Sequence, residues 1–210
     1  MNDIAKFIEG FRRFQQNYFG DNKALFKELK QGQRPSTLVI ACSDSRVDPA
    51  ILTNCEPGDL FVVRNVANLV PPYEKGAGLH GVSTALEFGV RSLEVEHIIV
   101  LGHRQCGGIG ALMQDGTPES KGEFIGNWVN IARRAKERVL ADLPDASAEE
   151  RVCACEEQSI LVSLENLLTF PWLKERVDQG KLNLHGWLFD LEHGKLVAYD
   201  ASTGKFESLT

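Results

Sequence analysis

Three short apolar runs, each dense in β-branched residues, constrain the fold of this chain more than any other feature. They are TLVIAC (Thr37–Cys42), LFVVRN (Leu60–Asn65) and HIIVLG (residues 97–102). Such runs are typical of parallel strands buried on both faces, and patterns with helical spacing, such as residues 79–93, separate them. The sequence therefore predicts βαβ units and an α/β fold with a central, mostly parallel β-sheet flanked by helices.

The C-terminal half continues this pattern and adds an antiparallel edge strand. Helical spacing covers residues 122–138 and 149–168. Two further strands are predicted at LNLHGWLFD (residues 182–190) and KLVAYD (Lys195–Asp200). The Glu-His-Gly turn between them suits a hairpin, so the last of these strands is expected to run antiparallel at the edge of the sheet.

The N-terminal segment is predicted to be a helical arm. Ile4, Ile8 and Phe11 approximate helical spacing within the first eighteen residues, and a second helix is predicted through Ala24–Leu29. Because its basic residues are mixed with acidic ones, the arm is expected to pack on protein and not on a membrane surface. We expect one domain over residues 1–210, whose arm, residues 1–32, packs on a partner subunit.

Composition excludes several classes of function. A formal net charge of -6 argues against a nucleic-acid surface, which needs a clustered basic face. The N-terminal residues do not read as a secretory signal, and no stretch is apolar enough to span a bilayer. Five cysteines, an odd number, fit reduced thiols or metal ligands better than a disulfide framework. We therefore expect a cytoplasmic protein with no membrane and no nucleic-acid partner.

Metal-ligating side chains follow two of the predicted strands. Cys42 closes the first strand, and His103 and Cys106 in LGHRQCGG follow the third. Loops at the carboxyl ends of parallel strands converge, so these side chains meet if the two strands are neighbours. Two thiolates and one imidazole suit Zn²⁺, and three protein ligands with one position free are typical of a catalytic zinc. The sequence predicts one zinc ion per chain.

A carboxylate and a guanidinium accompany the first cysteine. In ACSDSR, Cys42, Asp44 and Arg46 occupy alternate positions and point to one side of an extended segment. Asp44 either binds the metal as a fourth ligand in a closed state, or accepts a hydrogen bond from metal-bound hydroxide while Arg46 holds the carboxylate. An ion pair that only stabilises the turn is the simpler alternative.

Taken together, CSDSR, FVVRNVAN, GHRQCGG and LHGWLFD resemble the β-class carbonic anhydrases, over essentially the whole chain. The resemblance implies zinc-dependent, reversible hydration of carbon dioxide to bicarbonate and a proton through zinc-bound hydroxide. It implies Cys42, His103 and Cys106 as zinc ligands and Asp44 with Arg46 as the catalytic dyad. It also implies a homodimer or homotetramer whose N-terminal helices contact the neighbouring subunit.

The same resemblance places the chain in the plant-like subgroup of that family. Gln33 stands where those members have a glutamine that donates to the substrate, and Phe61 stands where they have an aromatic pocket wall. Phe88 replaces a tyrosine, so the substrate loses one hydrogen bond. Gly107, next to the last ligand, is also expected to border the substrate.

Three alternative functions remain open on the sequence. The same scaffold suits a related substrate such as carbon disulfide or carbonyl sulfide. A non-catalytic zinc-binding or redox-responsive protein is the second, with Cys153 and Cys155 as a thiol pair, although side chains so spaced on a helix face different directions. The third is nucleotide binding by GAGLHG, residues 76–81, but that motif should directly follow a strand.

Overall fold

The computed structural model describes residues 3–20, 23–76, 78 and 80–209 of the chain. They form two compact units, of which the first ends at Arg34 and the second begins at Pro35. The predicted helix over residues 79–93 begins at Leu79, which lies outside the described residues, as do positions 1, 2, 21 and 22 of the N-terminal arm. None of the helices in the described ranges is long and apolar enough to cross a membrane.

Helices separate the first three strands, a series of helices follows, and the last three strands are consecutive. The strands are β1 (Thr37–Cys42), β2 (Leu60–Asn65), β3 (His97–His103), β4 (Asn183–Asp190), β5 (Lys195–Asp200) and β6 (Lys205–Ser208). The helices are α1 (Asp3–Phe19), α2 (Ala24–Leu29), α3 (Pro49–Thr53), α4 (Gly81–Glu87), α5 (Gly107–Met113), α6 (Ile125–Val129), α7 (Arg133–Asp142), α8 (Ala148–Leu167) and α9 (Pro171–Asp178). Helix α4 continues into a π-helical turn, Phe88–Ser92.

The six strands form one sheet in the order β2-β1-β3-β4-β5-β6. Strands β1 to β4 run parallel, and β5 and β6 are antiparallel. The predicted α/β fold with a mostly parallel sheet is therefore confirmed, and the antiparallel edge contains two strands instead of one. The additional strand, β6, is four residues long and mostly exposed, so it lacks the apolar run that identifies the others.

The inner strands are buried on both faces, as their continuous apolar runs predict. On one face Leu38 and Ile40 of β1 pack with α4, α8 and α9 residues in the main core, and on the other face Val39 and Ala41 pack with Ile99. A third cluster covers the carboxyl ends of β1 and β3 and includes Cys42 and Cys106 among its buried residues. Two of the three candidate metal ligands thus lie inside the apolar core.

The N-terminal unit consists of α1 and α2, joined by an aromatic cluster. The Phe26 ring of α2 lies 5.7 Å from that of Phe14, 5.6 Å from that of Tyr18 and 4.7 Å from that of Phe19. Helix α1 buries no residue. Its packing on a partner subunit stays a prediction.

Candidate metal centre

The neighbouring positions of β1 and β3 bring three donor atoms together. The strands pair in parallel with Ala41 opposite Leu101, so both end at the same edge of the sheet. Cys42 ends β1, His103 ends β3, and Cys106 lies directly before α5. The two sulfur atoms and one imidazole nitrogen lie within 4.8 Å of one another, and all three residues are buried. Asp44 is not part of this set.

The orientation of His103 fits a metal ligand. Its Nδ1 lies 2.8 Å from the backbone carbonyl oxygen of Arg104, which accepts only, so Nδ1 carries the proton. In the neutral ring the lone pair is then on Nε2, which is buried without a hydrogen-bond partner among the described residues. A buried polar atom without a partner is costly unless a ligand satisfies it. A divalent cation held by Nε2 and the two sulfurs would do so.

The two thiols differ in acidity. A hydrogen bond from the Cys106 side chain, together with His103 nearby, lowers the pKa of Cys42 to about 4 despite its burial. The same contact with Cys42, together with burial, raises the pKa of Cys106 well above its usual value. Burial opposes protonation of His103, but interaction with the Cys42 sulfur and its hydrogen bond to Arg104 raise the His103 pKa. One negative charge is therefore already favoured at Cys42.

Asp44 and Arg46 form a bidentate ion pair beside the three donors. Arg46 donates from Nε to Asp44 Oδ1 at 2.9 Å and from the guanidinium NH2 to Oδ2 at 2.7 Å. The side-chain hydrogen bond from Arg46 holds the pKa of Asp44 well below its usual range. Asp44 Oδ2 lies 3.9 Å from His103 Nε2, so the carboxylate faces the donor set. The pair thus places a fixed negative charge beside the three donors.

Two residues that the sequence does not single out hold these loops in place. Arg64 of β2 donates to the carbonyl oxygen of Cys42 at 2.9 Å and to that of Asp44 at 2.7 Å, and it pairs with Asp48 at 2.9 Å. Gln105 has φ of 57°, a left-handed conformation that is uncommon outside glycine, and its carbonyl oxygen accepts from Arg46 at 3.1 Å. The bend at Gln105 lets His103 and Cys106 face the same point.

The predicted pocket residues fall into separate places. Phe61 and Phe88 pack together, with their ring centroids 5.8 Å apart. Together with His80 they line a cavity of about 500 Å³. In the register of β1 and β2, Phe61 pairs with Leu38 and Asn65 pairs with Cys42. These two pairs are four positions apart, so Phe61 lies roughly 13 Å along the strand from the level of Cys42. A Cβ atom on Gly107 would meet no atom within 4 Å, so Gly107 borders open space. Gln33 belongs to the N-terminal unit.

An apolar groove lies next to the donor set. It is lined by Val66, Phe124, Ile125, Trp128 and Ile131, has a volume of about 660 Å³, and reaches Ser43 and Asn65 beside Cys42. Phe124 is 77 % exposed, which is unusual for a large apolar side chain. The surface beside the three donors therefore exposes large apolar side chains.

The two alternative sites have less structural support. The GAGLHG segment lies between β2, which ends at Asn65, and α4, which begins at Gly81, so it does not directly follow a strand; its Ala77 and Leu79 lie outside the described residues. Cys153 and Cys155 are free thiols on α8. Burial raises the pKa of Cys155 to about 12, which leaves it an inert thiol.

Comparison with known proteins assigns the chain to a family. The family model described as carbonic anhydrase matches residues 37–196. A carbonic anhydrase of Pseudomonas aeruginosa is 41% identical over 209 residues, covering 100% of this chain and 92% of that protein. Beta carbonic anhydrase 3 of Arabidopsis thaliana is 41% identical over 196 residues, covering 92% of this chain and 76% of that protein.

Solved structures agree with this assignment. The β-carbonic anhydrase CcaA superposes with a TM-score of 0.91 at 36% identity, covering 99% of this chain and 100% of that one. The structures described as two tetrameric β-carbonic anhydrases of Sordaria macrospora give a TM-score of 0.82 at 26% identity, covering 100% and 98%. Together with the buried Cys-His-Cys set, these matches show that the chain belongs to the β-class carbonic anhydrases and is an enzyme of that type.

Proposed function

We propose that this chain hydrates carbon dioxide reversibly to bicarbonate and a proton, with one zinc ion held by Cys42, His103 and Cys106. The observation that carries the proposal is the convergence of these three donors, within 4.8 Å, at the junction of β1 and β3. Two thiols and an imidazole match the preference of zinc, and three protein ligands leave a position for a reactant. When bound, zinc would supply Lewis acidity that lowers the pKa of a coordinated water toward neutrality.

The residues of the chain have distinct roles in this reaction. Asp44 Oδ2 is placed to accept a hydrogen bond from the attacking water, because it faces the donor set and its low pKa keeps it ionised. Arg46 engages both carboxylate oxygens of Asp44 and thereby fixes the direction of the free lone pairs. While Arg46 holds both of its oxygens, Asp44 would not be free to act as a fourth ligand of the metal.

Metal analysis and stopped-flow hydration test the proposal together. We expect one zinc per chain in the purified protein and rapid hydration of carbon dioxide that disappears when zinc is removed and returns when it is added. Zinc without hydration would favour the non-catalytic alternative. Parallel rates on carbon disulfide and carbonyl sulfide decide the substrate, since the residues of the site do not separate these molecules. Absence of zinc from the folded protein would overturn the proposal.

Zinc affinity is expected to rise about tenfold per pH unit between roughly pH 7 and 8.5, because one proton must leave for each ion bound. Metal ligands bind unprotonated. Interaction with Cys106 lowers the pKa of Cys42 to about 4, so its thiolate is already formed, whereas contact with Cys42 raises the pKa of Cys106, whose proton must be displaced. Burial lowers the pKa of His103, but its contacts with Cys42 and Arg104 raise that pKa overall. At lower pH His103 must therefore release a second proton, which makes zinc affinity depend more steeply on pH.

Competition with a chelator of known affinity at each pH measures this dependence. A dissociation constant that did not change between the two ends of that interval would contradict the proposed proton release. The same titration on a Cys55→Ser variant is the control, since Cys55 is a free thiol outside the donor set.

We further propose that the protein is a homodimer, or a tetramer built from dimers, in which α1 of one protomer packs on its partner. Phe7, Ile8 and Phe11 lie along one face of α1 and are 65%, 51% and 59% exposed. The apolar groove beside Cys42 offers a complementary surface, and β2 is an edge strand. The relatives from Sordaria macrospora are described as tetrameric.

A charge on the apolar face of α1 is expected to weaken this assembly. Phe11→Asp should raise the subunit dissociation constant at least about tenfold, because an unpaired carboxylate would have to be buried. Light scattering across a dilution series measures the mass. Asn17→Asp is the matched control, since Asn17 is exposed and lies on the far side of the helix. An unchanged mass for Phe11→Asp at every concentration would place the interface elsewhere.

The cytoplasmic location of the protein also stays a prediction.

A further inference from the structure

A buried carboxylate from α8 lies directly behind the metal-ligating loop. Glu156 is 2% exposed, although it carries a titratable group. Its Oε1 accepts a hydrogen bond from the backbone N–H of Cys106 at 2.9 Å. Burying a carboxylate is costly unless it is paired and hydrogen-bonded, so this position needs a compensating contact on its other oxygen.

Arg104 supplies that second contact. Its guanidinium lies 3.4 Å from Glu156 Oε2, donates to the carbonyl oxygen of Cys153 at 2.6 Å and also pairs with Glu157. Three separate contacts therefore bind the Arg104 side chain to α8. Its backbone is fixed as well, because Arg104 N–H donates to the carbonyl oxygen of Phe189 in β4 at 2.9 Å.

The backbone carbonyl of Arg104 is the same group that accepts from Nδ1 of His103, at 2.8 Å. Glu156 is thus connected to two of the three donors. It reaches Cys106 through the amide N–H of that residue, and it reaches His103 through Arg104. The third donor, Cys42, is held at its carbonyl oxygen by Arg64 of β2.

We propose that Glu156 is a positioning residue that sets the spacing of His103 and Cys106 for metal binding, an inference that rests on the proposed zinc function. Ligand-supporting carboxylates typically change metal affinity 10- to 100-fold when removed, because they fix the orientation of the ligands before the metal binds. Glu156 does so through the protein backbone, at the amide of Cys106 and the carbonyl of Arg104.

Two substitutions separate this role from a general contribution of charge. Glu156→Asp keeps the charge but withdraws the carboxylate by about 1.5 Å, which is enough to break the bond to Cys106. Glu156→Gln loses the charge but keeps an oxygen that accepts from Cys106. We expect zinc affinity, measured by chelator competition, to fall about tenfold or more in Glu156→Asp and less than about threefold in Glu156→Gln.

Glu165→Asp is the matched control. Glu165 lies on the same helix and pairs with Arg134 at 3.2 Å and with Arg138 at 2.9 Å, but it touches no ligand. The zinc affinity of the Glu165→Asp variant is expected to equal that of the wild type. Cobalt substitution adds a readout that a merely structural role would not change: the ligand-field spectrum should shift in Glu156→Asp and stay the same in the control.

The outcomes are distinguishable from those of the proposed function. If wild-type protein binds no zinc, the proposed function fails. If wild-type protein binds zinc and Glu156→Asp binds it equally well, the positioning role is overturned. If the aspartate variant does not fold, Glu156→Ala, which removes the acceptor of the Cys106 amide, decides in its place: a loss of about tenfold or more in zinc affinity would support the positioning role, and an affinity equal to that of the wild type would overturn it.

Discussion

Cys42→Ser is expected to remove zinc from the protein and to lower carbon dioxide hydration by more than about 100-fold, since even supporting partners of metal ligands account for 10- to 100-fold in affinity. Serine is nearly isosteric, but its hydroxyl stays protonated near neutral pH and is a poor ligand for zinc. Cys42 is also the donor whose pKa is lowered, by interaction with Cys106 and His103, so it supplies the charge that attracts the cation first.

Cys55→Ser is the control for this substitution. Cys55 is a free cysteine in the same half of the chain, it is partly exposed and it lies outside the donor set. That variant should keep both its zinc and its rate. Metal content by plasma emission and hydration by stopped flow give the two readouts. A Cys42→Ser protein with one tightly held zinc would exclude Cys42 as a ligand.

The sheet could be predicted because its inner strands are buried on both faces. Burial on two sides demands continuous apolar runs, and the residues of β1 agree with the predicted range to the residue. The range of β2 is also confirmed, but its expected burial on both faces is wrong, because β2 is an edge strand with no buried residue. The bounds of helices were harder to predict. The region 122–138 is divided into α6 and α7 by a 3₁₀ turn, Asn130–Ala132. The spacing of apolar residues does not reveal this local change from α-helical to 3₁₀ hydrogen bonding.

Short helices escaped prediction for identifiable reasons. Helix α5 begins with two glycines, which have poor helix propensity, and it forms because Gly108 allows close packing on Val66 and Ala67. Helix α9 is only eight residues long, so its apolar spacing is brief, although Pro171 at its first position is a recognised start signal. The start of α8 has a recognisable signal, the capping box formed by Ser147 and Glu150.

The convergence of the three donors could be predicted, but the residues that support them could not. Cys42, His103 and Cys106 follow strands, and the topology rule for parallel sheets brings strand ends together. Glu156 and Arg64 are buried or half-buried charges whose partners lie far away in sequence, at Cys106 and Cys42. Nothing in the local pattern distinguishes such residues from solvated charges. The pairing of His97 with His185, 3.1 Å apart across β3 and β4, likewise appears only once the register is known.

Asp44→Asn is expected to lower the turnover number about 10²- to 10⁴-fold while zinc stays bound, the range typical of a residue that handles a proton. The amide keeps the size of the carboxylate but loses the negative charge. Its NH₂ group would also face a donor of Arg46, where Oδ1 and Oδ2 now accept at 2.9 and 2.7 Å. Zinc should remain because Asp44 is not among the three donors. Retained zinc separates this outcome from that of Cys42→Ser.

Arg46→Ala tests whether charge or orientation matters at Asp44. Arg46 holds the pKa of Asp44 below its usual range, so its removal lets that pKa rise toward about 3.9, the ordinary value. Asp44 then stays ionised at pH 7, and any loss of turnover at that pH reports orientation. We expect such a loss, because a carboxylate released from Arg46 is free to bind the metal. Asp48→Asn is the control, since it weakens the neighbouring pair with Arg64 but keeps the cap of α3, and its turnover should fall little. Full activity in Arg46→Ala would remove the ion pair from the mechanism.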